Sequence, residues 1–182
     1  MTVTANADSK FNRYVVGAYP ASPAHREWNP ELEGAFFDAL SQDRRIWALE
    51  LPWLGSLHPH DDRWLSDHFP QHFRAIYTDI PFVMSQLALN PNYGLASPDE
   101  SGRSQALHHV RSLALGIAQF NEQRGSAAVH TVELHTAPQG KGDVDALAKS
   151  LEELSAWDWY GAQLVIEHCD AWIDGQTPEK GF

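Results

Sequence analysis

Residues 128–169 read AVHTVELHTAPQGKGDVDALAKSLEELSAWDWYGAQLVIEHC. Short apolar runs stand at both ends. Between them Val144, Leu147, Ala148, Leu151 and Leu154 recur at helical spacing behind Asp143, a residue type suited to start a helix. The stretch predicts a strand over Ala128–Thr136, a helix from Asp143 and a strand over Gln163–Cys169. Such a unit is the building block of a parallel sheet, because parallel neighbours need a long crossover.

The same alternation runs back toward the N-terminus. Arg13–Tyr19 reads as the first strand, and Asn29 and Pro30 open a helix with Leu32, Ala35, Phe36, Ala39 and Leu40 on one face. Ile46–Leu51 is a strand stopped by Pro52, Asp61–Phe69 a short helix ending at Pro70, and Phe73–Ile80 a third strand. A stretch from Leu87 to Gly102, rich in Asn, Pro, Gly and Ser, is a loop of the length that often carries function. Ala106, Val110, Leu113, Ala114, Ile117 and Phe120 then line a helix closed by Gly125. The expectation is an α/β chain of five strands and four helices, with residues 1–12 a flexible tail and 13–182 one domain. A closed parallel (β/α) barrel takes eight such units and about 250 residues. The chain therefore reads as an incomplete barrel or as an open doubly wound sheet. No Gly-rich phosphate loop or serine nucleophile elbow follows any strand, which weighs against the second.

Composition narrows the partners. The 182 residues are 43% hydrophobic and 20% charged, enough apolar material for a sizeable core. A net charge of −11 opposes nucleic acid and anionic membranes. The N-terminus lacks the pattern of a secretory signal, and no apolar run approaches a membrane span. The one cysteine, Cys169, forms no internal disulfide and reads as a small buried hydrophobe, in keeping with a reducing, cytoplasmic setting.

Strand alternation selects the chemistry-bearing positions. With Leu49 and Leu51 facing helices, Glu50 points to the other face. With Val132 and Leu134 facing helices, so do Thr131, Glu133 and His135. With Leu164 and Ile166 facing helices, so do Gln163, Val165, Glu167 and Cys169. Glu50, Glu133, His135 and Glu167 thus form one constellation near the C-terminal ends of strands, where barrel active sites lie; each alone also suits an interior hydrogen-bonding role. His58-Pro-His60-Asp61-Asp62 is a second cluster, suited either to a metal or to a helix start. His108 and His109 lack metal-ligand spacing, and His109 reads as solvent-facing. Trp28, Trp53 and Trp172 follow strands and are placed either to stack on a sugar ring or to fill the core.

LVIEHCDAWIDGQTPEKGF at Leu164–Phe182, YVVGAYPASP at Tyr14–Pro23 and VELHTAP at Val132–Pro138 together resemble an uncharacterised bacterial family of xylose-isomerase-like TIM barrels. The resemblance implies a carbohydrate substrate and a metal-dependent isomerase or epimerase that moves a proton beside a sugar carbonyl. It implies Glu167 as ligand to a divalent metal such as manganese, magnesium or cobalt. Further metal ligands lie beyond the fifth strand in that superfamily, so a truncated apparatus is expected. In this frame Glu167, Glu133 and His135 are the catalytic candidates, and Glu50, Trp53, Trp172 and Trp28 the substrate-binding ones. Two alternatives stand beside it: a non-catalytic half-barrel completed by self-association into a homo-oligomer through its exposed edge, and a sugar-binding module without the metal.

Overall fold

The computed structural model describes residues 13–167 and 173–176. Its strands are β1 (Tyr14–Val16), β2 (Ile46–Pro52), β3 (Arg74–Thr78), β4 (Val129–His135) and β5 (Gln163–Glu167). All neighbours are parallel, in the order β1-β2-β3-β4-β5. The helices are α1 (Pro30–Ser41), α2 (Asp62–His68), α3 (Ile80–Leu87), α4 (Glu100–Arg124) and α5 (Val144–Ser155). Two 3-10 turns, Tyr19–Ala21 and Pro23–His25, lead from β1 to α1.

Strand order equals chain order, without the reversal that defines a doubly wound sheet. Right-handed crossovers between successive neighbours lay their helices on one side. Packing agrees with this. Leu49, Leu51, Ala75, Tyr77, Val132 and Leu134 join Phe37, Leu65, Val110, Leu113, Ile117, Phe120 and Leu154 of the helices in one buried cluster. The opposite face of the sheet carries Glu50, Thr78, Thr131, Glu133 and His135.

Helix starts follow local chemistry. The Asn29 side chain accepts from the backbone N–H groups of Glu31 and Leu32, Asp61 from Trp64, Asp99 from Gly102, and Asp143 from Ala146. Gly125, with φ 61°, closes α4 in the left-handed conformation.

Three expectations need correction. There are five helices among the described residues rather than four, because the apolar run of β3 continues through Ile80 and Pro81 into the first turn of α3. Helix α1 keeps Phe36 and Leu40 of its expected face against the core but centres its buried side elsewhere. Glu33 and Phe37 are buried, while Ala35 and Ala39 are exposed and Leu32 is 57% exposed. Hydrogen bonds to Glu33 and the aromatic contacts of Phe37 with Trp64 and Phe69 outweigh the aliphatic stripe. Helix α5 buries Ala146, Ser150 and Leu154 and exposes Val144, since Ser150 Oγ donates to the Leu95 carbonyl. The segment 88–99 is a loop, as expected, without helix or strand, and it packs closely. Tyr93, Leu95, Ala96 and Ser97 are buried, and Ala96 N–H donates to the Thr136 carbonyl at 2.7 Å just beyond β4.

That packing depends on Gly102, where a Cβ would run into the Asn92 carbonyl. Gly102→Ala is expected to lower stability by about 1–3 kcal/mol, the usual scale of overpacking. Gly140→Ala, which meets open space, should leave stability within about 0.5 kcal/mol. Urea unfolding of both variants checks this pair.

Candidate functional site

The strand register converts the expected inward residues into a pattern. Glu50 pairs with Ile76, Ile76 with Thr131, and Thr131 with Gln163. Two residues further along each strand, Pro52 pairs with Thr78, Thr78 with Glu133, and Glu133 with Val165. Two further still, His135 pairs with Glu167. Glu50, Glu133 and Glu167 therefore climb diagonally across one face toward the C-terminal ends of the strands.

Their charges are coupled. Partial burial, then the Glu167 charge, raises Glu50 above the ordinary carboxylate range. Burial, then the charges of Glu50 and Glu167, raises Glu133. Tyr19, in the turn after β1, is raised by burial and by Glu50 and Glu167, which places its phenol beside the same carboxylates. Gly17 makes room for one of them, since a Cβ there would stand 2.9 Å from Glu50 Oε2.

Asp79 is the residue that sequence reasoning missed. It follows β3, is 1% exposed, and leaves the start of α3 without a side-chain cap. Its carboxyl accepts instead from the backbone N–H of His135 at 2.8 Å, tying the ends of β3 and β4 together. Burial pushes Asp79 up to about 8, against the lowering effect of the His135 N–H and with help from the Glu167 charge. An Asp ahead of an Ile-Pro helix start was the available signal, but it pointed to a cap. His135 is buried, at 3% exposure, at the same junction.

The remaining candidates disperse. Trp53 is 2% exposed, belongs to the helix-side cluster and packs on Phe82 with ring centroids 4.4 Å apart, so its ring has no free face for a sugar. Trp28 is half-buried and stacks on His60, with His58 and Trp64 edge-on to it. Trp172 and Cys169 lie outside the described residues, as does the tail up to residue 12. The cluster at residues 58–62 spends its groups on its own loop and on the turn after β1: Asp62 Oδ1 accepts from His58 N–H, Asp61 caps α2, and His60 Nε2 meets the Ala24 carbonyl. His109 is half-buried beside Tyr93 and Phe82, with Nδ1 3.3 Å from the Tyr93 hydroxyl, while His108 is the exposed one.

Carboxylate oxygens suit a hard divalent cation. Among the described residues, however, no three His, Cys, Asp or Glu side chains gather closely enough to hold a metal. The described residues do not complete a metal site. No described helix is long and apolar enough to cross a membrane.

The raised Asp79 has a thermodynamic consequence. The folded state keeps this proton from near 3.8 up to about pH 8, whereas the unfolded chain releases it, so stability falls as pH rises through that window. Asp79→Asn is expected to match the parent near pH 4 and to gain in melting temperature up to about pH 8. Thermal unfolding across pH measures it, and an advantage that does not grow with pH contradicts the assignment.

Among curated proteins the chain is similar to the uncharacterized protein STM3670 of Salmonella typhimurium, 39% identical over 174 residues. The match covers 93% of this chain and 55% of that protein, so the chain spans about half the length of the curated relative it matches. No solved structure matches it. The model of the family described as domain of unknown function DUF4862 matches residues 15–182, and the chain belongs to that family.

Proposed function

We propose that this chain is the strand β1 to β5 portion of a xylose-isomerase-like (β/α) barrel, and that the completed barrel moves a proton beside the carbonyl of a carbohydrate. The single observation that carries the reading is the diagonal of Glu50, Glu133 and Glu167 on the face opposite the helices, with Glu50 and Glu133 raised by burial first and then by neighbouring carboxylate charge. Sequential parallel strands with helices on one side support a barrel. The greater length of the Salmonella protein supports a fold whose remaining strands lie in further sequence.

Coupled carboxyls of raised proton affinity fit this chemistry, because a base and an acid must coexist near neutral pH. As carboxylate, Glu133 takes the proton from the carbon beside the carbonyl. Protonated, Glu50 donates a hydrogen bond to the carbonyl oxygen as negative charge builds there. Return of the proton to the former carbonyl carbon, while Glu50 passes its proton to the former carbonyl oxygen and takes one from the neighbouring hydroxyl, isomerises the sugar; return to the opposite face of the same carbon epimerises it. Burial raises both carboxyls, and the Glu167 charge adds to it. No step is routed through a metal.

A second reading, the half-barrel completed by self-association, is favoured by the apolar edges. On β1, Tyr14 is 53% and Val15 47% exposed; on β5, Val165 is 44% and Ile166 40% exposed. Sedimentation separates the two, since a monomer at all concentrations removes self-association.

The test of the first reading is deuterium exchange. Aldoses and ketoses incubated in D₂O with the completed barrel, this chain together with the sequence that supplies its remaining strands, are expected to gain deuterium beside the carbonyl. Glu133→Gln should slow this by about 100-fold or more, the scale of general acid–base catalysis. No exchange with any sugar overturns the reading. Exchange that rises with manganese, magnesium or cobalt assigns a cation held by ligands outside the described residues; exchange indifferent to EDTA removes it.

A further inference from the structure

Gly17 follows β1 directly, one step beyond the last β1–β2 pair of Val16 with Leu49, which sets it beside Glu50. It is exposed, and its φ lies outside the left-handed region, so the backbone conformation does not call for glycine. The contact above it does. A Cβ at this position would stand 2.9 Å from Glu50 Oε2, 3.5 Å from its Cδ and 3.9 Å from its Cβ, and these are the three nearest atoms. The Glu50 side chain therefore lies over Gly17 along its length, with its carboxyl resting at the end of β1. A glycine in a strand often marks such a close approach by another group.

That seat has a direction. β1 lies on one side of β2, and β3 and β4 lie on the other. Glu133 stands on β4, two strands from Glu50 or about 10 Å at the usual strand spacing, and two residues further along. A carboxyl drawn over Gly17 is drawn away from Glu133. Folded over β3 instead, it would approach Glu133, and two carboxyls in contact share one proton and titrate as a unit. The titrating groups that act on Glu50 come from three elements: Tyr19 from the turn after β1, Glu133 from β4 and Glu167 from β5. Between them β3 presents Ile76 and Thr78, which carry no charge.

We infer that Gly17 is a positioning residue: lacking a side chain, it seats the Glu50 carboxyl over the end of β1 and holds it apart from Glu133. The purpose of the seat rests on the proton-transfer reading above, and its existence rests on the contact geometry. Acid and base work on one substrate requires the two carboxyls to face different atoms, Glu133 the carbon and Glu50 the carbonyl oxygen, with the substrate between them. A methyl group at position 17 takes the seat, and the carboxyl moves toward β3 and Glu133. The acid then loses its place at the oxygen, and the two carboxyls repel more strongly. Because the displaced atoms are the end of a flexible side chain, the fold is left intact.

The test is Gly17→Ala, read first without substrate. In the full chain labelled with ¹³C-glutamate, the Glu50 and Glu133 carboxyl resonances, identified by their loss in Glu50→Gln and Glu133→Gln, are followed through a pH titration. The Glu50 midpoint is expected to rise by about half a unit or more in Gly17→Ala, and to rise less when Glu133→Gln is present as well. Gly140→Ala, which meets open space, is the control. A midpoint that stays or falls overturns the seat, and so does a Gly17→Ala chain that does not fold, since more than one side-chain end then depends on the glycine. In the completed barrel, Gly17→Ala is expected to lower kcat for deuterium exchange about tenfold or more with KM little changed, and to add nothing to Glu50→Gln. Additive losses overturn the action through Glu50. No exchange in the parent sinks the proton transfer and leaves the seat to be decided by the titration.

Discussion

The rest of this structure depends on strands laid down in chain order. Each strand lies beside the one before it, and α1, α2, α4 and α5 pack into one buried cluster on one side of the sheet, as crossovers of one hand require. That side is closed by apolar contact, with Leu113, Ile117, Leu134 and Leu154 essentially inaccessible to water. The other side of the same strands is then free for polar residues, and the two-residue period of β structure places them there in register. One topological fact separates a face that holds the chain together from a face that carries charge.

The charged face works against stability. Glu50 is raised by partial burial and then the Glu167 charge, Glu133 by partial burial and then the charges of Glu50 and Glu167, and Asp79 by nearly complete burial. Each shift means that the ionised form is less welcome in the folded state than in water. Such groups are characteristic of sites selected for chemistry rather than for folding. Asp79 shows how the two demands meet, because its carboxyl joins β3 to β4 through His135 while resting in the field of Glu167.

The loops after β1 and β2 form a second organised region. Trp28, His58, His60 and Trp64 pack into one aromatic group, and Asp61 and Asp62 hold the backbone around it. A cluster of imidazoles and carboxylates in five positions thus acts mainly as a scaffold, and among its described atoms His58 Nε2 is buried without a hydrogen-bond partner. The scaffold fixes the tautomer and direction of that ring with ordinary backbone hydrogen bonds.

The sequence by itself determined the strands, the caps at Asn29, Asp61 and Asp143, the stop at Gly125, and the common face of Glu50, Glu133 and Glu167. These features depend on neighbours within a few positions and on the fixed alternation of a strand, so they can be read locally. Only the tertiary structure decided that α1 turns Glu33 and Phe37 inward, that residues 88–99 pack onto the end of β4, that Trp53 is core, and that Asp79 reaches His135 rather than capping its own helix. Each of these rests on partners distant in sequence: Ser22 for Glu33, Thr136 for Ala96, Phe82 for Trp53 and His135 for Asp79. The energy that settles them comes from burial and hydrogen bonding between segments brought together by the sheet, and no local spacing encodes it.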